Sequence, residues 1–421
     1  MTAPVLQSSV SSTGRTTFGA VTVANLLLAV MLLLLAMNFR QSWYYVAYVA
    51  FAIYFILGRE HFKLDLGCTI LFGFAVCLVI FWPDGRATYL NILKQLAFPL
   101  LYILGFNITG KQAGSAPGAP GSRESVALFF LAAMSLGCFA HLVLNYSINF
   151  GATSRYVVDY WTRQLLSATG QAAIACLPIG FFCGILFTNA KALEKTLSLA
   201  GLVVVLAYNL VLAGRTIVVM TIAVLVVAYL VRMSLSDAGR RWRSTIIVML
   251  VAAACLYVFT TDAFGVRTMV LGSNLSSRFQ DMGVGEDGRM AYKAQHLMLL
   301  PSYLWGGSNV LELTGGYAHD LLLDVFDAGG LPSFVFMAWF VALVLVRYVR
   351  LMANGAAGAT TKVLFSTVLA ALAIEFFVEP ILYGMPWLLA LFCFVGGMVS
   401  RMAADGQDVA APLDTLGGVP L

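Results

Sequence analysis

The stretch Thr196–Val231, TLSLAGLVVVLAYNLVLAGRTIVVMTIAVLVVAYLV, carries a single charge, Arg215, in about 36 residues. A helix needs about 20 apolar residues to cross a hydrocarbon core, so this run is too long for one span and long enough for two helices of about 18. One continuous helix would also hold Arg215 deep in hydrocarbon, at a cost of at least about 2.5–3.5 kcal/mol. Gly214 can supply a turn instead, which places Arg215 in a tight hairpin at headgroup depth.

Working outward, the same pattern recurs along the chain. Of 421 residues, 60% are hydrophobic and 11% are charged, whereas a soluble domain carries roughly 25% charged residues. A water-soluble fold is excluded. The apolar runs do not alternate in polarity as barrel strands do, so the fold class is all-α and polytopic. Spans are expected near 18–38, 43–58, 65–82, 88–106, 126–146, 165–187, 196–213, 216–231, 245–261, 331–348, 363–378 and 381–400, about 12 transmembrane helices in all. The first run is too long for a signal-peptide core and lacks a small-residue cleavage site behind it, so it reads as a retained span. All seven cysteines (Cys68, Cys77, Cys138, Cys176, Cys183, Cys255, Cys393) fall within apolar runs. They read as small core hydrophobes, with no disulfide framework and no metal site.

Cytoplasmic loops are enriched in Lys and Arg. With the N-terminus inside, 15 of the 25 basic residues lie on the cytoplasmic side and 10 outside, and four of those ten (Arg267, Arg278, Arg289, Lys293) share one long loop. Long loops count little toward the rule, so the short segments divide 15 to 6. Both termini are therefore expected in the cytoplasm. The net charge of +5 forms no basic stripe interleaved with aromatics, so nucleic acid is not an expected partner. The chain divides into residues 1–261 with nine spans, an outer loop at 262–330, three spans at 331–400 and a tail at 401–421. The Gly, Ala, Pro and Ser-rich segment from Gly110 to Ser125 reads as a flexible cytoplasmic linker. Only the loop from Asp262 to Gly330 is large enough to fold over a membrane face, and an active site is expected there.

Within that loop, Asp287 to Met298 (DGRMAYKAQHLM) places apolar residues at 290, 294 and 297/298, the spacing of an amphipathic helix. Arg289 falls in its first turn, where the helix dipole disfavours a cation unless an anion compensates. An anionic ligand, or pairing with Glu286 or Asp287, would satisfy it. Pro301 to Ser308 (PSYLWGGS) is rich in turn formers and aromatics that suit an interface or a sugar surface. In Gly315 to Gly330 (GGYAHDLLLDVFDAGG), a glycine turn precedes a short helix with a glycine stop, and His319 or Asp320 stands at the helix N-terminus. A histidine in an outer vestibule can serve as a general base or be structural. His61 lies in a cytoplasmic loop and His141 within the fifth span, so neither can join His319 as a metal ligand, and no histidine pair at metal spacing occurs on the outer side. No catalytic metal or cofactor is inferred. Glu375 and Glu379, one turn apart in the eleventh span, must face a cavity or a partner. They read either as a transporter's proton relay or as carboxylates that orient an arginine.

The order of these features resembles the O-antigen ligase and O-antigen polymerase superfamily: an arginine at an outer hairpin, a long outer loop with GR before an amphipathic helix, a WGG turn, and a histidine opening HDLLLDVFDAGG. Arg215, Arg289 and His319 fall on that family's functional positions, while Asp320 stands where the family usually has asparagine. The motifs cover roughly residues 196–345 and the hydropathy covers the whole chain. The resemblance implies a GT-C-like fold in the bacterial inner membrane with a periplasmic active site. It implies metal-independent, inverting transfer of a glycan from undecaprenyl diphosphate, with His319 as general base and Arg215 and Arg289 stabilising the leaving diphosphate. Lys94, Arg163 and Asp320 are further candidates for holding donor or acceptor. Within the family, the ligase reading has the lipid A core oligosaccharide as acceptor, and the polymerase reading has another lipid-linked repeat unit. Outside it, a secondary transporter is the alternative, although no internal repeat is visible.

Overall fold

In a computed structural model of the chain, the described residues are 23–57, 63–81, 89–109, 123–150, 156–212, 214–262, 265–273, 275–276, 288–306, 309–355 and 357–408. Residues 18–22 of the first expected span, most of the Gly110–Ser125 linker, His61, Glu286, Asp287 and the last part of the tail lie outside them.

The architecture is an all-α bundle. Its helices are α1 (Val23–Ala36), α2 (Trp43–Leu57), α3 (Leu66–Phe81), α4 (Tyr89–Ile108), α5 (Arg123–Ile148), α6 (Ala168–Leu186), α7 (Ala192–Leu212), α8 (Arg215–Ser234), α9 (Ala238–Thr260), α10 (Val266–Leu271), α11 (Gly288–Leu299), α12 (Asn309–Thr314), α13 (Leu321–Ala353), α14 (Ala359–Val378), α15 (Ile381–Gly384) and α16 (Pro386–Asp408). Among the described residues, eight helices are long and apolar enough to cross a membrane: α4, α5, α6, α7, α8, α13, α14 and the first 19 residues of α16. The apolar helices α1, α2 and α3 are shorter, at 14, 15 and 16 residues. Outward faces stay apolar, as lipid contact requires: Leu197 and Val203 on α7 and Val219, Ile222, Val226 and Leu230 on α8 are all exposed.

The Thr196–Val231 run divides as its single charge predicts. Helix α7 ends at Leu212, Gly214 adopts an extended backbone, and Arg215 opens α8. Inside the bundle α16 lies along α4, α13 along α3, and α14 against both α6 and α8. Gly105 and Gly397 meet the partner backbone so closely that a Cβ would collide with it, the small-residue contact by which apolar helices pack without a hydrophobic driving force.

Helices α6 and α14 run antiparallel: Gly184 meets Leu364 and Thr367, Gly180 meets Val368, and Cys176 lies beside Glu375. Gly214 in turn approaches the Ala168 carbonyl. One end of the bundle therefore carries Ala168, Arg215 and Glu379 together.

Three features depart from the sequence reading. Residues 165–167, expected as the start of a span, form strand β2 (Leu165–Ser167), which pairs antiparallel with β1 (Tyr156–Val158). The last expected span is broken after α15, and α16 begins at Pro386. The glycine stop at Gly330 is a kink within α13 instead of an end. Gly330 takes a left-handed φ of 66°, and the Leu331 N–H donates to the Leu304 carbonyl at 2.8 Å instead of to its own helix. Gly306, at φ 75°, lies against Gly330, and a side chain on either would strike the other's backbone.

Candidate active site

The residues that bear chemistry collect where α11, the start of α13 and the end of α14 meet. Asp320 is the N-cap of α13, its Oδ1 accepting from the Leu322 and Leu323 amides at 3.0 and 3.4 Å. Capping consumes that oxygen and fixes the turn before it. His319 sits in this turn with φ 54°, a left-handed backbone that is uncommon for a residue bearing a Cβ. Ala318 beside it is fully buried, so the turn is pinned and the imidazole is aimed by the backbone.

Glu379, the C-cap of α14, is completely buried. It receives Arg289 Nη2 on Oε1 at 2.9 Å, and His319 Nδ1 lies 3.8 Å from Oε2. The Arg289 and His319 side chains are each 22% exposed, so both reach from solvent to one buried carboxylate. The histidine distance is too long for a hydrogen bond, and Glu379 acts on it through charge. Arg289 has thus found its anion in Glu379, about 90 residues away in sequence, and of the two sequence readings of Glu379 the one that orients an arginine matches the geometry.

Lysine 293, one turn along α11 from Arg289, sits 3.5 Å from Asp320 Oδ2, donates to the Phe377 carbonyl and lies 3.7 Å above the Phe377 ring. His296, fully buried, places Nδ1 2.7 Å from Asp327 Oδ2 and Nε2 3.0 Å from the Gly316 carbonyl. Burial opposes its charge, but the Asp327 carboxylate and the Gly316 carbonyl outweigh that and hold the His296 pKa above its ordinary value. Thr314 Oγ1 stands 3.1 Å from the same Nε2. These contacts clamp the polar face of α11 onto α13 while Met290, Leu297 and Met298 stay exposed on the other side, as the amphipathic spacing predicts.

Of the residues singled out in the sequence, the structure brings Arg289, His319 and Asp320 together. Arg215 stands at the same end of the bundle, half-buried at the start of α8. Lys94 and Arg163 belong to other elements: Lys94 lies 5.7 Å over the Tyr44 ring and Arg163 lies 5.2 Å over the Tyr160 ring. Glu379, which the sequence also singled out, joins Arg289 and His319, and Lys293, His296 and Asp327 complete the arrangement. A signal for Asp327 was present, because Asp320, Asp324 and Asp327 recur at helical spacing and mark one face of the helix after His319. Among the described residues no three His, Cys, Asp or Glu side chains form a group suited to a metal ion.

Compared with known proteins, the chain matches no protein-family model and no curated protein.

Proposed function

We propose that this chain is a glycosyltransferase of the O-antigen ligase type, with twelve spans in a bacterial inner membrane, both termini in the cytoplasm and the site of Arg289, His319 and Glu379 facing the periplasm. The observation that carries this reading is the convergence of Arg289 and His319, two residues singled out by the motif order, on one buried carboxylate. That end of the bundle also holds Arg215, and the distribution of Lys and Arg supports an outward orientation for it.

The chemistry assigned to each group follows from its surroundings. The Glu379 charge favours the imidazole tautomer that presents Nδ1–H toward it, which leaves the Nε2 lone pair to accept a proton. An acceptor hydroxyl of the lipid A core oligosaccharide gives that proton to His319 as its oxygen attacks the anomeric carbon of the glycan. The bond from that carbon to the diphosphate oxygen breaks on the opposite face, its electron pair leaving with undecaprenyl diphosphate, and the configuration inverts. Arginine's planar fork suits diphosphate oxygens, and Arg215 and Arg289 would stabilise the charge gathering there. Glu379 holds Arg289 in place before substrate arrives, so little reorganisation is left for the reaction. Asp320 fixes the His319 turn through its cap, and Lys293 stands next to it.

Gels of lipopolysaccharide and lipid-linked glycan from cells lacking the protein test this. Bare core with long polymer accumulating on undecaprenyl diphosphate is expected, and a chain carrying His319→Ala that inserts normally should restore nothing, a loss of about 10²–10⁴-fold in transfer. Core bearing a single repeat unit would point to the polymerase reaction, and an unchanged glycan profile would overturn the reading.

A further inference from the structure

A second group of cations occupies the same end of the bundle and is built from different elements. The turn Phe39–Gln41 joins α1 to α2, and the tip of the β1–β2 hairpin, residues 159–164, leads through β2 into Ala168. Trp161 on the hairpin packs edge-on against Phe39 at 4.8 Å and against its neighbour Tyr160 at 4.9 Å. Over the two outer rings lie guanidiniums: Arg40 is 5.8 Å from the Phe39 centroid and Arg163 is 5.2 Å from that of Tyr160. Both arginines are exposed, and among the described residues neither forms an ion pair with a carboxylate.

A guanidinium stacked on a ring uses its face and keeps its in-plane N–H donors for an anion. The platform is also rigid. Asp159 accepts from His141 at 2.8 Å and from the Trp161 and Thr162 amides at 3.0 and 2.9 Å. Asn145 Oδ1 accepts from the Tyr160 amide at 2.8 Å, and Asn149 exchanges bonds with both backbone groups of Val158. Asn38, Arg40, Gln41 and Arg163 all hold left-handed backbones, four of the six non-glycine residues that do so among those described. Such conformations persist where the surrounding structure enforces them, and they cluster at ligand sites.

We propose that Arg40 and Arg163, carried on the Phe39, Trp161 and Tyr160 platform, form a binding site for a phosphate ester. Two sources share that chemistry, a phosphorylated saccharide and a phospholipid headgroup. The site requires no transfer reaction, so its test stands apart from that of the proposed function.

The full chain, purified in non-ionic maltoside detergent that carries no phosphate, is titrated with glucose 1-phosphate and separately with phosphatidylglycerol, and bound molecules are counted by native mass spectrometry. Saturable binding of one or both probes is expected, weakened at least tenfold in the Arg40→Gln/Arg163→Gln double variant and unchanged in Arg350→Gln, an exposed arginine in the last turn of α13. The probe that binds more tightly identifies the source. Because both side chains are exposed, the double variant should melt with the wild type. Should it not fold, Arg40→Lys/Arg163→Lys keeps the charge and loses the fork, and an affinity reduced by several-fold is expected. No binding of either probe to the wild type, or equal binding by wild type and variants, would overturn the proposal.

Discussion

Two rims at one end of this bundle treat positive charge in opposite ways. On the rim of α11, α13 and α14, each cation has a carboxylate: Arg289 has Glu379, Lys293 has Asp320 and His296 has Asp327. On the rim of the α1–α2 turn and the hairpin, Arg40, Arg163 and, nearby, Lys94 rest on aromatic rings. The first arrangement spends its charge on holding a helix and the His319 turn in place, and the second leaves its charge open to an anion from outside. Each rim nevertheless uses the same fastener, a histidine–aspartate pair, at 2.7 Å for His296–Asp327 and 2.8 Å for His141–Asp159.

The contrast is broken most directly at Glu379. Replacing it with Ala removes the buried carboxylate paired with Arg289, a change that costs about 3–5 kcal/mol when both charges are buried, and the lower end applies here because Arg289 is 22% exposed. Removing Arg40 or Arg163 deletes no ion pair among the described residues and should change stability by less than about 0.5 kcal/mol. Thermal unfolding in detergent of the three single variants measures the gap, and equal losses would show that the two rims do not differ in the way described.

The two fasteners respond to pH in opposite directions. His141 and the amides of Thr162 and Trp161 overcome the cost of burial and draw the Asp159 carboxyl down to about 2. A depressed folded-state pKa gives stability that is fully present above the unfolded value near 4 and is lost as the pH falls through about 2. The contribution is on the order of 2 kcal/mol at neutral pH. Asp159→Asn should therefore be less stable than wild type by about that amount at pH 7, with the difference shrinking below pH 4.

His296 runs the other way. Its folded-state pKa is raised, so its contribution is fully present below about 6.5 and is lost as the pH rises through the folded value. The stability difference between wild type and His296→Gln should therefore be larger at pH 6 than at pH 9, and a difference independent of pH would mean that the pair holds α11 as a neutral hydrogen bond only.

Much of this was legible in the sequence because it is local. The period of apolar residues marked the helices, the lone charge in Thr196–Val231 divided α7 from α8 at Gly214, and the glycine turn placed a helix start at His319 or Asp320. What was not legible depends on contacts far apart in the chain. The hairpin has strands of three residues each and no alternating pattern of its own, and it is fixed by His141 and Asn145 of the preceding helix and by Asn149 just past its end. Gly330 looked like a stop because glycine ends helices, yet the Leu304 carbonyl takes up the freed Leu331 amide and α13 continues. The partner of Arg289 could not be read from position, since Glu286 and Asp287 are adjacent in sequence while Glu379 closes on it from another helix.

The smallest expected effect sharpens the comparison most finely, because Lys94 lies between the two styles. It is half-buried on α4, with its ammonium 5.7 Å from the Tyr44 ring and no fork to present. A half-buried cation over a buried ring contributes on the order of 1 kcal/mol, and Lys94→Met keeps the apolar stem, so stability should fall by no more than that. A point charge adds less to phosphate recognition than a stacked guanidinium. Lys94→Met should accordingly weaken phosphate-ester binding less than either arginine substitution. If it weakens binding more, the anion lies toward α2 and α4, and the rim is organised around Tyr44 instead of Trp161.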